Sequence, residues 1–248
     1  MNKRGTLFCL LFLASPLRPF SAAAFSLTEL DLGAGCGVTE PARLELLKAL
    51  RAATSVEPEP AARRVKLSDP ALFSEPFLTL SCSEAPRGLD YEELRALRLY
   101  LVSGGTLFAN DASGRRKSPF AAWLHRTLEL VLPENGFKPV ARDHSLLKSF
   151  FLIGEPGGRF SLEKEPSAVE YAGRYAVIFS RNDLLGVWPR DAVGRPVHEI
   201  PSAGQRRSGE KLTLNILIYA LTGSYKQDAV HQPYIMQKLR ELDAGAPR

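Results

Sequence analysis

Apolar and polar residues alternate from Phe25 to Leu32, and the run stops at Gly33, Gly35 and Gly37, which predicts a strand ending in a turn. The next apolar positions, Leu44, Leu46, Leu47 and Leu50, share one helical face. Thr39 is the candidate N-cap and Pro41 lies just inside, so a helix is expected to end near Thr54. Glu57 to Pro60 reads as a proline-rich connector. Arg63 to Leu67 then reads as a short strand before a helix start at Asp69 and Pro70. Pro76 to Leu80 is continuously apolar, the pattern of a strand covered on both faces. Asp90 caps a helix from Tyr91 to about Val102, which Gly104 and Gly105 end, and Thr106 to Ala109 is the next strand. Strand, helix and strand at this spacing imply a parallel pair joined by a crossover.

A helix from about Phe120 to Val131 stops at Pro133, and a loop-rich stretch from Glu134 to Glu165 follows. Val169 to Tyr171 and Tyr175 to Ser180 flank Ala172, Gly173 and Arg174 as a hairpin. Leu212 to Leu221 is apolar enough for a buried helix, and a polar helical tail is expected from about Pro233. Alternating strands and helices of this kind predict a doubly wound, mostly parallel α/β sheet of flavodoxin-like order in three layers, α/β/α. In such a sheet ligands bind beyond the carboxyl ends of the strands. Gly33 to Gly37, Ser81 to Ser83 and Asn110 to Gly114 fall there.

The first residues change the picture. Lys3 and Arg4 precede the apolar stretch Thr6 to Ala14, and Ser21, Ala22, Ala23 and Ala24 form a small-residue cluster, the order of a secretory signal peptide. The expected division is a signal over residues 1–24 and one domain over 25–248, periplasmic or secreted after cleavage near Ala24, with no membrane span in the mature chain. Cleavage removes Lys3, Arg4 and Arg18 and no acidic residue, so the net charge of +5 falls to +2. The remaining basic pairs are scattered and lack interleaved aromatics, which argues against nucleic acid. Cys36 and Cys82 remain. A flavodoxin-like order makes the first and third strands neighbours and brings these two together, and a structural disulfide is preferred to a reactive thiol pair.

The stretches Pro76 to Leu78, Leu94 to Leu101 and Gly104 to Asp111 resemble a bacterial group, domain-of-unknown-function family 4159. Further matches are His144 with Ser145 and Leu146, Gly173 and Arg174, Asn182 to Leu184, and Asn215 to Thr222. The resemblance implies kinship with class I glutamine amidotransferase-like and ThuA-like domains. It also implies envelope partners of the von Willebrand type A or MoxR-type ATPase kind. At the turn after Thr106 to Ala109, where such relatives carry a nucleophilic cysteine, this chain has Asn110 and Asp111. Neither supports acyl transfer through a thiolate, so the chain is not expected to hydrolyse glutamine.

Asp111, His144 and Asp183 are the candidate catalytic residues, two carboxylates and an imidazole able to act as an acid/base pair if they converge. Asn110, Asp111, His144, Asn182, Asp183 and Trp188 are the candidate ligand contacts. For each there is a structural alternative: Asn and Asp after a strand cap helices and shape turns, a loop histidine bonds to backbone, and a tryptophan packs in the core. No cofactor or metal is expected, because there is neither a His-x-x-x-His pair nor a clustered Cys/His set. His125 beside Trp123 reads as packing. The preferred function is a non-catalytic binding or interaction module of the bacterial envelope. The alternative is a periplasmic hydrolase or carbohydrate-active enzyme using the Asp/His set.

Overall fold

The computed structural model describes residues 25–33 and 35–222, so the expected signal segment and the tail expected from Pro233 lie outside the described residues. The strands are β1 (Phe25–Leu30), β2 (Pro58–Val65), β3 (Phe77–Cys82), β4 (Thr106–Asp111), β5 (Lys138–Pro139), β6 (Ser167–Tyr171) and β7 (Arg174–Ser180). The helices are α1 (Glu40–Ala53), α2 (Tyr91–Val102), α3 (Pro119–Val131) and α4, described over 203–222.

These strands form one sheet in the order β2-β1-β3-β4-β7-β6-β5, parallel from β2 to β7 and antiparallel beyond it. β1 therefore lies beside β3, the adjacency that a flavodoxin-like order requires. β3 and β4 are buried at every position because helices cover both faces. Phe77, Phe108 and Ile178 pack on one face with Leu46 and Leu50 of α1 and Leu212 and Leu217 of α4. Leu78, Leu107 and Phe179 pack on the other with Leu101 of α2 and Leu124 and Leu128 of α3. No described helix is long and apolar enough to cross a membrane.

Several boundaries follow local chemistry. Asp90 accepts from the Glu93 N–H while the Glu93 side chain bonds back to the Asp90 N–H, a reciprocal cap that starts α2. Ala172 and Gly173 both have positive φ, the condition for the two-residue turn between β6 and β7. At Gly105 a Cβ would stand 2.3 Å from the ring of Tyr100, so only glycine fits the turn into β4.

The proline-rich stretch from Pro58 is strand, not connector, because β2 is a sheet edge where a missing N–H is tolerated. Asp69 and Pro70 begin a short 3-10 turn, Pro70–Ser74, rather than an α-helix. α4 begins at residue 203, well before the apolar run at Leu212, because its first two turns carry no large apolar side chain to mark them.

Cys36 and Cys82 form a disulfide across the β1–α1 loop and the end of β3. The Gly37 N–H donates to the Ser81 carbonyl at 2.8 Å, and the Val38 N–H donates to buried Glu29 at 3.1 Å. The loop before α1 is thus held from both neighbouring strands. The cysteines are 46 positions apart, and closing a loop of that length removes about 4 kcal/mol of unfolded-chain entropy. Reduction, or Cys36→Ser with Cys82→Ser, is expected to lower unfolding free energy by roughly 2–4 kcal/mol in urea titrations, and no change would remove the disulfide from the stability of the fold.

Candidate functional site

Side chains alternate along a strand, so adjacent Asn110 and Asp111 at the end of β4 go to opposite faces of the sheet. Asn110 is fully buried and makes three bonds. Its Nδ2 donates to Ser81 Oγ at 2.9 Å and to Asp183 Oδ1 at 2.8 Å, and its Oδ1 accepts from the Leu185 N–H at 3.3 Å. Asp183 follows β7 with φ of 50°, a left-handed turn position that Asp tolerates. Its Oδ1 also accepts from the Gly186 N–H at 3.0 Å, and its Oδ2 takes the Nε of Arg159. Arg159 donates in addition to the Ala112 carbonyl at 2.6 Å and lies 4.3 Å from the centre of the Phe160 ring. Ser81, Asn110, Arg159 and Asp183 thereby cross-tie four segments of the chain.

Above this network is a cleft of about 110 Å³. Gly37, Ser81 and Ala112 border it, one from each of the three loops expected at the carboxyl ends of the strands. Arg159, Asp183, Gly186 and His198 complete the polar side. Burial lowers the affinity of His198 for a proton, and the positive charge of Arg159 lowers it further.

The candidates separate. Asn110 and Asp183 meet directly, and Asp183 lines the cleft. His144 does not join them. Its ring packs 4.0 Å from that of Tyr175, at the start of β7, whereas Asp183 lies beyond the strand's other end, so the strand alone separates them by roughly 16 Å at 3.3 Å per residue. Its Nδ1 accepts from the Leu146 N–H at 3.1 Å, the backbone role of a loop histidine, and burial lowers its pKa. The expected meeting of Asp111, His144 and Asp183 therefore does not occur, because Asp111 turns to the other face of the sheet and His144 and Asp183 lie at opposite ends of β7.

Asn182 is a clamp: its Oδ1 accepts from the Leu162 and Glu163 N–H groups at 2.7 and 3.0 Å, and its Nδ2 donates to the Glu163 carbonyl at 2.9 Å. Trp188 is core, its Nε1 donating to Thr213 Oγ1 at 3.3 Å. His125 packs against Phe137 and Phe179. No group of three metal-ligating side chains occurs among the described residues.

The family model for the domain of unknown function DUF4159 matches residues 33–221. The chain belongs to this family. No curated protein matches it. In this DUF4159 domain the matched stretch begins at the loop before α1 and reaches the last described turn of α4, so it contains every wall of the cleft.

Arg159, Gly186 and His198 were not singled out from the sequence. Arg159 sits in a glycine-bearing loop, and only the docking of that loop on the turn after β7 gives it a partner. Gly158 and Gly186 carry the trace of that docking, since a Cβ would stand 2.1 Å from the Asn182 carbonyl oxygen or from Asp183 Oδ2 respectively.

On the opposite face, Asp111 is fully buried; its Oδ1 accepts from the Ser113 N–H at 2.9 Å and its Oδ2 has no protein partner. Nearby, burial pushes the Glu163 carboxyl up to about 7, against the hydrogen bond and charge of Arg181 and with the charge of Asp111 adding to the rise.

Two outcomes follow. Asn110→Ala leaves Ser81, Asp183 and the Leu185 N–H short of a partner and should lower unfolding free energy by about 2–4 kcal/mol, measured by urea titration. Glu163 keeps its proton to about 7 in the fold against 4.5 for the ordinary group, so the folded chain binds more protons between those values. Its contribution makes stability fall as pH rises through that window and level off above it. Glu163→Gln should stabilise the protein at pH 8 by at most about 3 kcal/mol and change little at pH 4, read from denaturant midpoints.

Proposed function

We propose that this DUF4159 domain is an exported binding or interaction module, and that the cleft bordered by Arg159, Asp183 and His198 is where it engages a partner peptide or a small ligand. The observation that carries the reading is the closed polar network beneath the cleft. Both oxygens of Asp183 are engaged by Asn110, Arg159 and the Gly186 N–H, and Ser81 Oγ takes the Asn110 amide. Three of the roughly four lone pairs of the Asp183 carboxylate go to these partners and its charge faces Arg159, so its first task is to hold the loops together. Such a network holds a shape.

The volume supports the same reading. About 110 Å³ is well below the several hundred Å³ of a typical small-molecule pocket, so the cleft suits one side chain or one chain end of a larger partner. Export is supported by the order of the first 24 residues and by the Cys36–Cys82 disulfide, which belongs to oxidising compartments. Envelope proteins of the von Willebrand type A or MoxR-type ATPase kind are the partners to try first.

The test pairs turnover with capture. Protein purified from an exporting host should leave amide, ester and glycoside substrates unchanged. It should retain an envelope partner that Ala112→Trp, which fills the cleft, releases. Hydrolysis abolished by Asp183→Ala or His198→Ala, or capture indifferent to the filled cleft, would overturn the proposal.

A further inference from the structure

A larger hollow lies at the opposite edge of the sheet, around the start of β7. Its volume is about 410 Å³, within the range of small-molecule sites, and no candidate residue was placed in it from the sequence. Tyr175, Ala141 and Ala168 form its apolar side, and Lys138, Glu170 and Asn135 its polar side. Tyr175 is held firmly: its ring packs on His144 and its N–H donates to the Tyr219 hydroxyl at 3.0 Å.

The charges are the informative part. Lys138 on β5 pairs directly with Ala168 on β6, so their side chains share a face, and Glu170, just past a bulge in β6, lines the same hollow. Two long side chains of opposite charge on one hollow have the reach to form an ion pair. Among the described residues neither does, with each other or with any other group. Glu134, also at the rim, is by contrast committed to Arg98 at 2.8 Å. The hollow thus presents one uncommitted positive and one uncommitted negative group across an apolar floor. Asn135 adds a buried side-chain oxygen that no protein group satisfies.

We propose that this hollow is a ligand site for a zwitterion of the amino-acid or short-peptide class. Lys138 takes the carboxylate, Glu170 takes the ammonium, and the alanine floor with the edge of Tyr175 takes a small apolar side chain. The site is separate from the cleft, at the other end of β7, and stands or falls without it.

The probe is L-alanyl-L-alanine, titrated into the protein purified from an exporting host and followed by amide chemical shifts. Saturable shifts at Ala168 and Glu170 are expected, and Lys138→Ala and Glu170→Ala, both at exposed positions, should each weaken binding about tenfold or more without lowering the melting temperature. N-acetyl-L-alanyl-L-alanine amide, which lacks both charges, should not bind. Absence of saturable shifts, affinity unchanged in both variants, or equal affinity for the capped peptide would each overturn the assignment.

Discussion

The amide of Asn110 ties this structure together at its functional edge. A buried amide has to find its partners inside the protein, and the ones available are Ser81 on β3, Asp183 after β7 and the Leu185 N–H. Satisfying Asn110 therefore places the turn after β7. Asp183, so placed, receives Arg159, and with it the loop from Gly157 to Glu163 is laid against that turn. Gln205 of α4 then donates to the Gly158 carbonyl at 2.9 Å, which ties the last helix to the same chain of contacts. Removing one member leaves the others buried and unpaired, which is why such networks act as a unit.

The same constraint explains what the cleft is. Its floor is polar but occupied with itself, and its walls come from loops pinned by the disulfide on one side and by Asn182 on the other. The shape is rigid and small. At the other edge, β6 and β5 extend the sheet beyond β7 by antiparallel pairing, and the space beside them is wider, with charges left unpaired. One sheet thus carries two concavities of different character, separated by the length of β7.

Much of the fold was legible. The strand before Gly33, the helix opened by Asp90, the paired β3 and β4 and the β6–β7 hairpin all carry strong local signals: periodicity, a cap, a turn dipeptide. The early reach of β2 and α4 was not legible, because an exposed edge strand and a polar first turn need no apolar pattern. Of the candidate site, Asn110 and Asp183 were correctly placed at the carboxyl edge, since any residue just past a parallel strand must lie there. For His144 the backbone-bonded alternative describes its contact, and its place at the far end of β7 was not legible, as a loop of some thirty residues between α3 and β6 gives no sign of which end of the sheet it covers.

By itself the sequence determined the alternation of elements, the layering of the sheet, the family and the nearness of Cys36 to Cys82, because each depends on short-range patterning or on strand order. Tertiary structure alone decided the rest. It paired Asn110 with Asp183 across seventy-three positions, supplied Arg159 as the counter-charge, sent Asp111 to the other face and left Lys138 and Glu170 unpaired over a hollow. The physical reason is that a hydrogen bond or an ion pair depends on atoms within a few ångströms, and distance along the chain carries no information about that until the loops are docked.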